Sequence, residues 1–485
     1  MPGGATKHID VSGRRTKIVA TLGPASSSAR QIKALLEAGV DVVRLNMSHG
    51  SHDEHRALVA RVRAAARRLG RHVAVLADLC GPKIRVGRFA DGTVRLVDGK
   101  AVSITTRNLI GTASVIPSQY RRLPRDVRKG ERVFLDDGKL QLIVERVRGE
   151  TVHCRVVHGG LLRDNKGMNL PDTRLSVGAF TAKDRRDAAL AVEMGVDLVA
   201  LSFVRSARDI KQVQRYLLRL GADIPVIAKI EKPEALGNID AILAESYGIM
   251  VARGDLGIEL AAERVPLIQR ELIEKARIHN RPVIVATQML ESMIERPSPT
   301  RAEVGDVAGA ALSSADAVML SGETAVGAYP VAAVQTMDRV VREIEAFQWR
   351  RGSFVVRADA NTVVEHQPIR EAVAHAALNL ARDLRLRSIV IPTNSGATAR
   401  IIAAERPLAL SLGVCAKETI CRRLALHWGV IPVLVPVADV RDWRRLCRAI
   451  SKQCSLTAPG SAVLIVSGFN EQEALNEPVL KLMQL

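Results

Sequence analysis

Short apolar runs recur through roughly the first 350 residues, and each alternates with a segment of helical period. The runs are 17–22, 40–46, 73–78, 198–203, 226–230, 248–252, 283–287 and 317–321. The helical pattern covers 28–38, 54–69, 183–194, 207–220, 233–243, 262–279, 301–313 and 330–346. Runs that are apolar at every position suit strands buried on both faces, as parallel sheets require. Eight such strands, most feeding a helix, predict an α/β fold, a closed (β/α)8 TIM barrel.

The third repeat is interrupted by about a hundred residues of another texture. RFADGTVRLVDGKAVSI and GERVFLDDGKLQLIVERVRGETVHCRVVHGG alternate apolar and polar positions around DG and GG turns. That pattern predicts antiparallel hairpins. It reads as an inserted β-barrel domain in a barrel loop, expected to act as a lid because it leaves the barrel at its catalytic end. After 346 the segment QWRRGSFVVRADANTVVEHQP loses all period and reads as a linker. A further α/β unit follows, with strands at 388–391, 409–414, 430–435 and 462–466 and helices at 398–405 and 417–427. The expected division is 1–82 for the first barrel segment and 83–177 for the insert. The second barrel segment takes 178–348, the linker 349–368, and a C-terminal α/β domain of regulatory type 369–485.

In such a barrel, chemistry gathers at the C-terminal strand ends. Strand two ends in Arg44, Asn46, Ser48 and His49, and strand three in Asp78 and Leu79, followed by Lys83 and Arg85. Strand five ends Lys229-Ile-Glu231 and strand six Arg253-Gly254-Asp255. Strand seven ends at Thr287 and strand eight at Ser321. A lone polar residue at a strand end is commonly a solvated loop residue, and His49 alone reads equally well as a structural hydrogen-bonder. Six such ends converging read differently. One cation and two carboxylates, Lys229, Glu231 and Asp255, suit a divalent metal beside an anionic substrate. The backbone N–H groups around Gly254 suit an anion.

Composition narrows the setting. Aromatic residues make up 3% of the chain, so its cores must be built from Val, Leu, Ile and Ala. No run of about 18 apolar residues occurs, so no membrane span is expected. The opening MPGGATKHID has no apolar leader, and the six cysteines form no CxxC pair. A cytoplasmic protein with free thiols is the simplest expectation. The net charge of +19 would attract anions. Its plainer reading is an Arg-rich composition on solvated helix faces, as at Arg56, Arg61, Arg63, Arg67 and Arg68. No aromatic residues interleave with the basic ones, so nucleic-acid binding is not expected.

The strings TKIVATLGPAS, VVRLNMSHG, ADLCGPKIR, AKIEKPEAL, GIMVARGDLGIE, ATQMLESMIERPSPTRAEVGDVA and MLSGETAVGAYP resemble pyruvate kinase, in order, through both barrel segments. The resemblance is weaker in the inserted and C-terminal domains. It implies phosphoryl transfer from phosphoenolpyruvate to ADP, giving pyruvate and ATP. It further implies Glu231 and Asp255 as ligands of Mg2+ or Mn2+, with Lys229 and Arg44 neutralising the phosphoryl group. Gly254, Asp255 and Thr287 would hold the substrate carboxylate. Thr287 and Ser321 would relay a proton to the enolate. Asn46, His49, Arg85 and Lys183 would meet the nucleotide. Asn46, Ser48, Asp78 and the Leu79 carbonyl match a K+ cage. Lys83, however, stands where K+-dependent members carry Glu, so activity without K+ is expected.

In the C-terminal domain Thr393, Ser395, Gly396 and Thr398 match a loop that binds phosphorylated effectors. The same residues also read as an ordinary capped helix start. The chain end GFNEQEALNEPVLKLMQL lacks the G-x-T-N ending that frames that effector site. The family's habit implies a homotetramer. Two other readings compete: a Mg2+-dependent lyase acting on phosphoenolpyruvate or pyruvate, which would need no nucleotide lid, and a basic barrel that binds polyanions.

Overall fold

The computed structural model describes residues 13–352, 354, 369–454, 462–470 and 472–484. The eight apolar runs become eight parallel strands: β1 Lys17–Leu22, β2 Val42–Asn46, β3 Ala74–Leu79, β4 Leu198–Leu201, β5 Val226–Ile230, β6 Gly248–Ala252, β7 Val283–Ala286 and β8 Ala317–Leu320. They close into a barrel in the order β1-β8-β7-β6-β5-β4-β3-β2.

Alternation along each strand divides its side chains between two cores. Val19, Val42, Leu76, Ala200, Ile227, Met250, Ile284 and Met319 point inward and form one buried cluster. Ile18, Val43, Val75, Val199, Ala228, Val251 and Val318 point outward against the helices. The inward phase then continues past the apolar layers. Two residues beyond Val19, Val42, Leu76, Ala200, Ile227 and Met319 come Thr21, Arg44, Asp78, Ser202, Lys229 and Ser321. The fold thus collects six polar side chains on the barrel axis above an apolar plug.

Helix starts are strongly signalled. Ser51 with Glu54, Thr181 with Asp184 and Thr300 with Glu303 form reciprocal capping boxes, each worth roughly 1 kcal/mol. Asp184 has a second task. Its Oδ1 accepts from the Gly81 N–H at 3.0 Å and so fixes the loop that leads to Lys83. The expected helix at 233–243 divides into Pro233–Gly237 and Ile239–Glu245. Two short helices, Arg253–Glu259 and Gly322–Ala325, fall where the sequence pattern shows no helical period.

Between β3 and β4 lies the inserted β-structure. Its six-stranded sheet runs Met168–Asn169, Arg132–Leu135, Leu140–Arg148, Thr151–His158, Ala101–Thr105, Val115–Pro117. Beside it, Thr93–Leu96 and Gly160–Arg163 form a two-stranded ribbon. The linker expected at 349–368 lies largely outside the described residues, and helix Pro330–Arg350 reaches into its start.

The C-terminal sheet contains β9 Ser388–Pro392, β10 Leu410–Cys415, β11 Val430–Leu434, β12 Ala462–Ser467 and β13 Val479–Gln484, in the order β11-β10-β9-β12-β13. The sequence pattern did not reveal β13, an antiparallel edge strand. Only Leu480 and Met483, three residues apart, are partly covered, so neither a continuous apolar run nor a clean alternation marks it.

Two expectations are corrected. Cys415 and Cys421 form a disulfide instead of free thiols, because the end of β10 and the first turn of helix Glu418–Leu424 bring them together. Cys80, Cys154 and Cys447 are free. Arg63 is not on a solvated face. It donates to the Val73 carbonyl at 3.0 Å and pairs with buried Asp197 at 2.7 Å.

Candidate active site

The axial polar residues form one bonded cluster. Arg44 Nε donates to Asp78 Oδ2 at 2.7 Å, and its Nη1 donates to Thr21 Oγ1 at 2.9 Å. Lys229 Nζ donates to Ser202 Oγ at 2.7 Å and lies 2.9 Å from Glu231 Oε1 and 3.3 Å from Asp78 Oδ1. Ser202 Oγ donates onward to the Leu79 carbonyl at 2.7 Å. Glu231 Oε2 accepts from the Phe203 N–H at 2.7 Å. Thr21, Ser202 and Phe203 were missed from sequence. Their signal was available, since β1 and β4 obey the same strand-end rule as the six strands used.

Burial sets the electrostatics. It lowers the Lys229 ammonium pKa, but Asp78 and Glu231 outweigh it and hold the group above the ordinary lysine range. Burial raises Asp78, and Lys229 with Arg44 pulls it back below the usual carboxylate range. Glu231 and Asp255 behave differently. Burial pushes both up, and each stays up despite Lys229. Asp255 itself raises Glu231. A buried and a half-buried carboxylate that repel one another and are incompletely neutralised form a donor set that a hard divalent cation would relieve. Lys83 is near enough to pull Asp255 down and to depress His49, whose pKa is lowered mainly by burial. Lys83 itself is exposed at the rim, and its charge is felt by both groups.

Thr287 and Gln288 sit at φ +69° and +53°. That region costs a β-branched residue about 1–3 kcal/mol. Arg253 holds them there: Nη2 donates to the Thr287 carbonyl at 2.8 Å and to the Gln288 carbonyl at 2.7 Å. The turn aims Thr287 Oγ1 at the Gly254 N–H, from which it accepts at 2.8 Å. Gly254, Asp255, Thr287, Ser321 and Glu323 line a cleft of about 910 Å³, with Asp137 contributed by the insert. Glu323 accepts from the Ser321 and Leu290 N–H groups at 2.7 and 3.1 Å, tying the ends of β7 and β8 together. Ser321 Oγ is buried with no partner in the protein.

The remaining expected residues lie around this centre. Asn46 Oδ1 accepts from the Ser48 N–H at 3.1 Å. With Asp78 and the Leu79 carbonyl also engaged, three oxygens of the expected K+ cage already have internal partners. His49 is exposed, and its carbonyl accepts from His55 at 2.9 Å. Lys183 Nζ bonds Asp187 at 2.6 Å and the Met47 carbonyl at 2.5 Å, so a nucleotide would compete for it. Arg85 bridges to the Asn165 carbonyl at 3.2 Å where the insert joins the barrel. Gly81 lies between, at φ +67°, and a Cβ there would meet the Phe203 ring at 2.8 Å. The loop carrying Lys83 therefore packs directly on the segment that binds Glu231.

The effector-type loop is separate from this centre. Thr393 Oγ1 accepts from the Gly396 N–H at 2.9 Å, and Ser395 Oγ from the Ala397 N–H at 3.3 Å. Thr398 Oγ1 donates to the Phe469 carbonyl at 3.4 Å. The hydroxyls of Thr393 and Ser395 thus satisfy two N–H groups of the loop itself, while the N-cap position is Gly396, which carries no side-chain cap.

Known proteins resemble this chain along most of its length. Residues 13–334 match the pyruvate kinase barrel domain and 371–481 the pyruvate kinase alpha/beta domain. Over 461 residues the chain is 45% identical to a pyruvate kinase of Mycobacterium tuberculosis, covering 94% of this chain and 95% of that one. A pyruvate kinase of Thermococcus litoralis is 41% identical, covering 87% and 89%. The crystal structure of a pyruvate kinase from Cryptosporidium parvum superposes with a TM-score of 0.88 at 33% identity, covering 98% and 97%. With both parts matched in order and a full-length likeness in structure, the chain belongs to the pyruvate kinase family.

Proposed function

We propose that this chain transfers the phosphoryl group of phosphoenolpyruvate to ADP, giving pyruvate and ATP. The observation that carries the reading is the axial cluster: Lys229 and Arg44, buried and bonded through Asp78, beside the carboxylates Glu231 and Asp255. In phosphoryl transfer the protein mainly positions groups and offsets charge. Arg44 and Lys229 supply two fixed positive charges where the transferring group would pass. The Gly254 N–H now donates to Thr287 Oγ1, so a substrate carboxylate would take the hydroxyl's place on it. Glu231 and Asp255 would hold Mg2+ or Mn2+, which when bound neutralises phosphoryl and enolate oxygens. Among the described residues no group of three or more His, Cys, Asp or Glu could hold a metal. Two carboxylates completed by substrate oxygens and water suit Mg2+.

Thr287 and Ser321 both line the cleft, and the unpartnered Ser321 hydroxyl supports a water-assisted proton path to the enolate. Arg85 at the junction with the insert, and His49, suit the nucleotide. Lys83 replaces the charge of K+, so turnover proceeds without that ion. The insert acts as a lid, with boundaries near 83 and 177, and the subunits form a homotetramer. No helix among the described residues is long and apolar enough to cross a membrane, which accords with a cytoplasmic enzyme.

The test is pyruvate production from phosphoenolpyruvate and ADP with Mg2+, in tetramethylammonium buffer. Turnover that K+ hardly changes is expected. No turnover with or without K+ overturns the reading, and turnover only with K+ overturns the role given to Lys83.

A further inference from the structure

Behind the cluster lies a buried ion pair that the reaction does not use. Lys229 and Glu231 take the inward phase of β5, while Lys232 takes the phase of the outward residues Ala228 and Ile230. Its ammonium is buried and lies 2.7 Å from Glu259 Oε1. Glu259 ends helix Arg253–Glu259, one turn beyond Asp255. The pair therefore joins the two backbone segments that carry Glu231 and Asp255. The insert meets it too. Asn169 Nδ2 donates to Glu259 Oε1 at 3.4 Å, and Lys232 Nζ donates to the Leu170 carbonyl at 3.5 Å. Asn169 lies in the strand that pairs with Arg132–Leu135, which leads to Asp137 on the cleft wall.

A buried ion pair is poor value as a stabiliser, because desolvation offsets its attraction and apolar replacements of similar size are often neutral. Here half the Glu259 carboxylate, Oε2, is buried with no partner, so the arrangement is not optimised for stability. What it does provide is directional: one ammonium and one carboxylate hold three segments in a single register.

We propose that Lys232 and Glu259 are positioning residues that set the spacing of Glu231 and Asp255, and that they link divalent-cation binding to the seating of the insert through Asn169 and Leu170. This rests on the metal assignment made above.

The experiment uses the full-length protein and Mn2+ alone, titrated by the loss of its electron-spin-resonance signal, beside thermal melts. The double variant Lys232→Met/Glu259→Leu removes both charges while keeping volume. It should melt close to the wild type but bind Mn2+ at least about 10-fold more weakly. Lys232→Arg should retain most of the affinity. Asn169→Ala should weaken Mn2+ binding about 2–5-fold, the share carried by the insert. If the double variant does not fold, Glu259→Gln is read instead, with the same expectation. Unchanged Mn2+ affinity in the folded double variant, or in Glu259→Gln, overturns the proposal. Glu231→Gln separates the two readings. If it also leaves Mn2+ binding unchanged, the metal assignment has failed. If it abolishes binding while the double variant does not weaken it, only the positioning role has failed.

Discussion

Lys229→Met removes one charge from the centre of the axial cluster and keeps the aliphatic stem. The ammonium lies 2.9 Å from Glu231 and 3.3 Å from Asp78. At an effective dielectric of about 20, each contact is worth roughly 5 kcal/mol before desolvation. Removing one partner of a buried pair nets about 3–5 kcal/mol of lost stability. The lower end applies here, because Glu231 is already pushed toward its neutral form and can take up a proton. For a domain of roughly 300 residues, about 3 kcal/mol lowers Tm by about 4–5 °C, so the variant stays folded at 25 °C. Its activity is affected far more. A fixed cation beside a transferring phosphoryl group is worth about 10³–10⁵ in rate. The expected result is a kcat at least about 10³-fold lower, with KM for phosphoenolpyruvate changed less than about 10-fold. Pyruvate formation coupled to NADH oxidation reads the rate, and a thermal melt reads the fold. A folded variant within about 10-fold of wild-type kcat would refute the role given to Lys229.

Further outcomes follow from the same geometry. Arg253→Ala frees the left-handed turn at Thr287 and Gln288, so kcat should fall about 100-fold while KM for ADP holds; a loss below about 3-fold would show that the turn keeps its shape unaided. Lys83→Glu should convert the enzyme to one that needs K+, measured as the activity ratio with and without the ion, and an unchanged ratio contradicts the assignment. His427 is buried against Tyr247 at 2.7 Å, and burial depresses its pKa to about 3. The unfolded chain protonates this residue near pH 6.5 and the folded protein does not, so stability is lost as pH falls below about 6.5, by about 1.4 kcal/mol per unit. Between pH 7 and 5 His427→Gln should gain about 2 kcal/mol on the wild type. A difference in denaturation midpoint that stays constant over that range removes His427 as the cause.

The barrel was legible because parallel strands must be apolar on both faces, and their runs stand out against helical period. The ends of β1 and β4 obey the same strand-end rule as the other six, but only closure of the barrel shows that Thr21 and Ser202 face the axis. Ser202 looks like any residue leaving a strand until Lys229 is seen to donate to it. Helix Arg253–Glu259 was hidden by two glycines within seven residues. Its position is dictated by Gly254 bonding Thr287 and by Glu259 bonding Lys232, neither of which is local in sequence.

The arginine excess was legible only in part: Arg56, Arg61, Arg67 and Arg68 are exposed as expected, and Arg63 is not. A sequence shows charge but not what the guanidinium faces. Here many arginines bind backbone carbonyls at junctions. Arg15 donates to the carbonyls of Pro407 and Leu408, Arg205 to those of Leu175 and Val177, and Arg406 to that of Ser314. A planar fork of five donors suits this task, since it can reach several carbonyls at once where one segment ends on another. A carbonyl satisfies the hydrogen bond without cancelling the charge. For Arg15 and Arg205 such contacts leave the charge within the net +19 without adding a basic patch, whereas Arg406 also pairs with Asp316 at 2.8 Å. Arg15 and Arg406 are buried and Arg205 is half-buried, so part of the excess is withheld from solvent. The polyanion reading drew its only support from that charge, and the contacts of these arginines withdraw part of it.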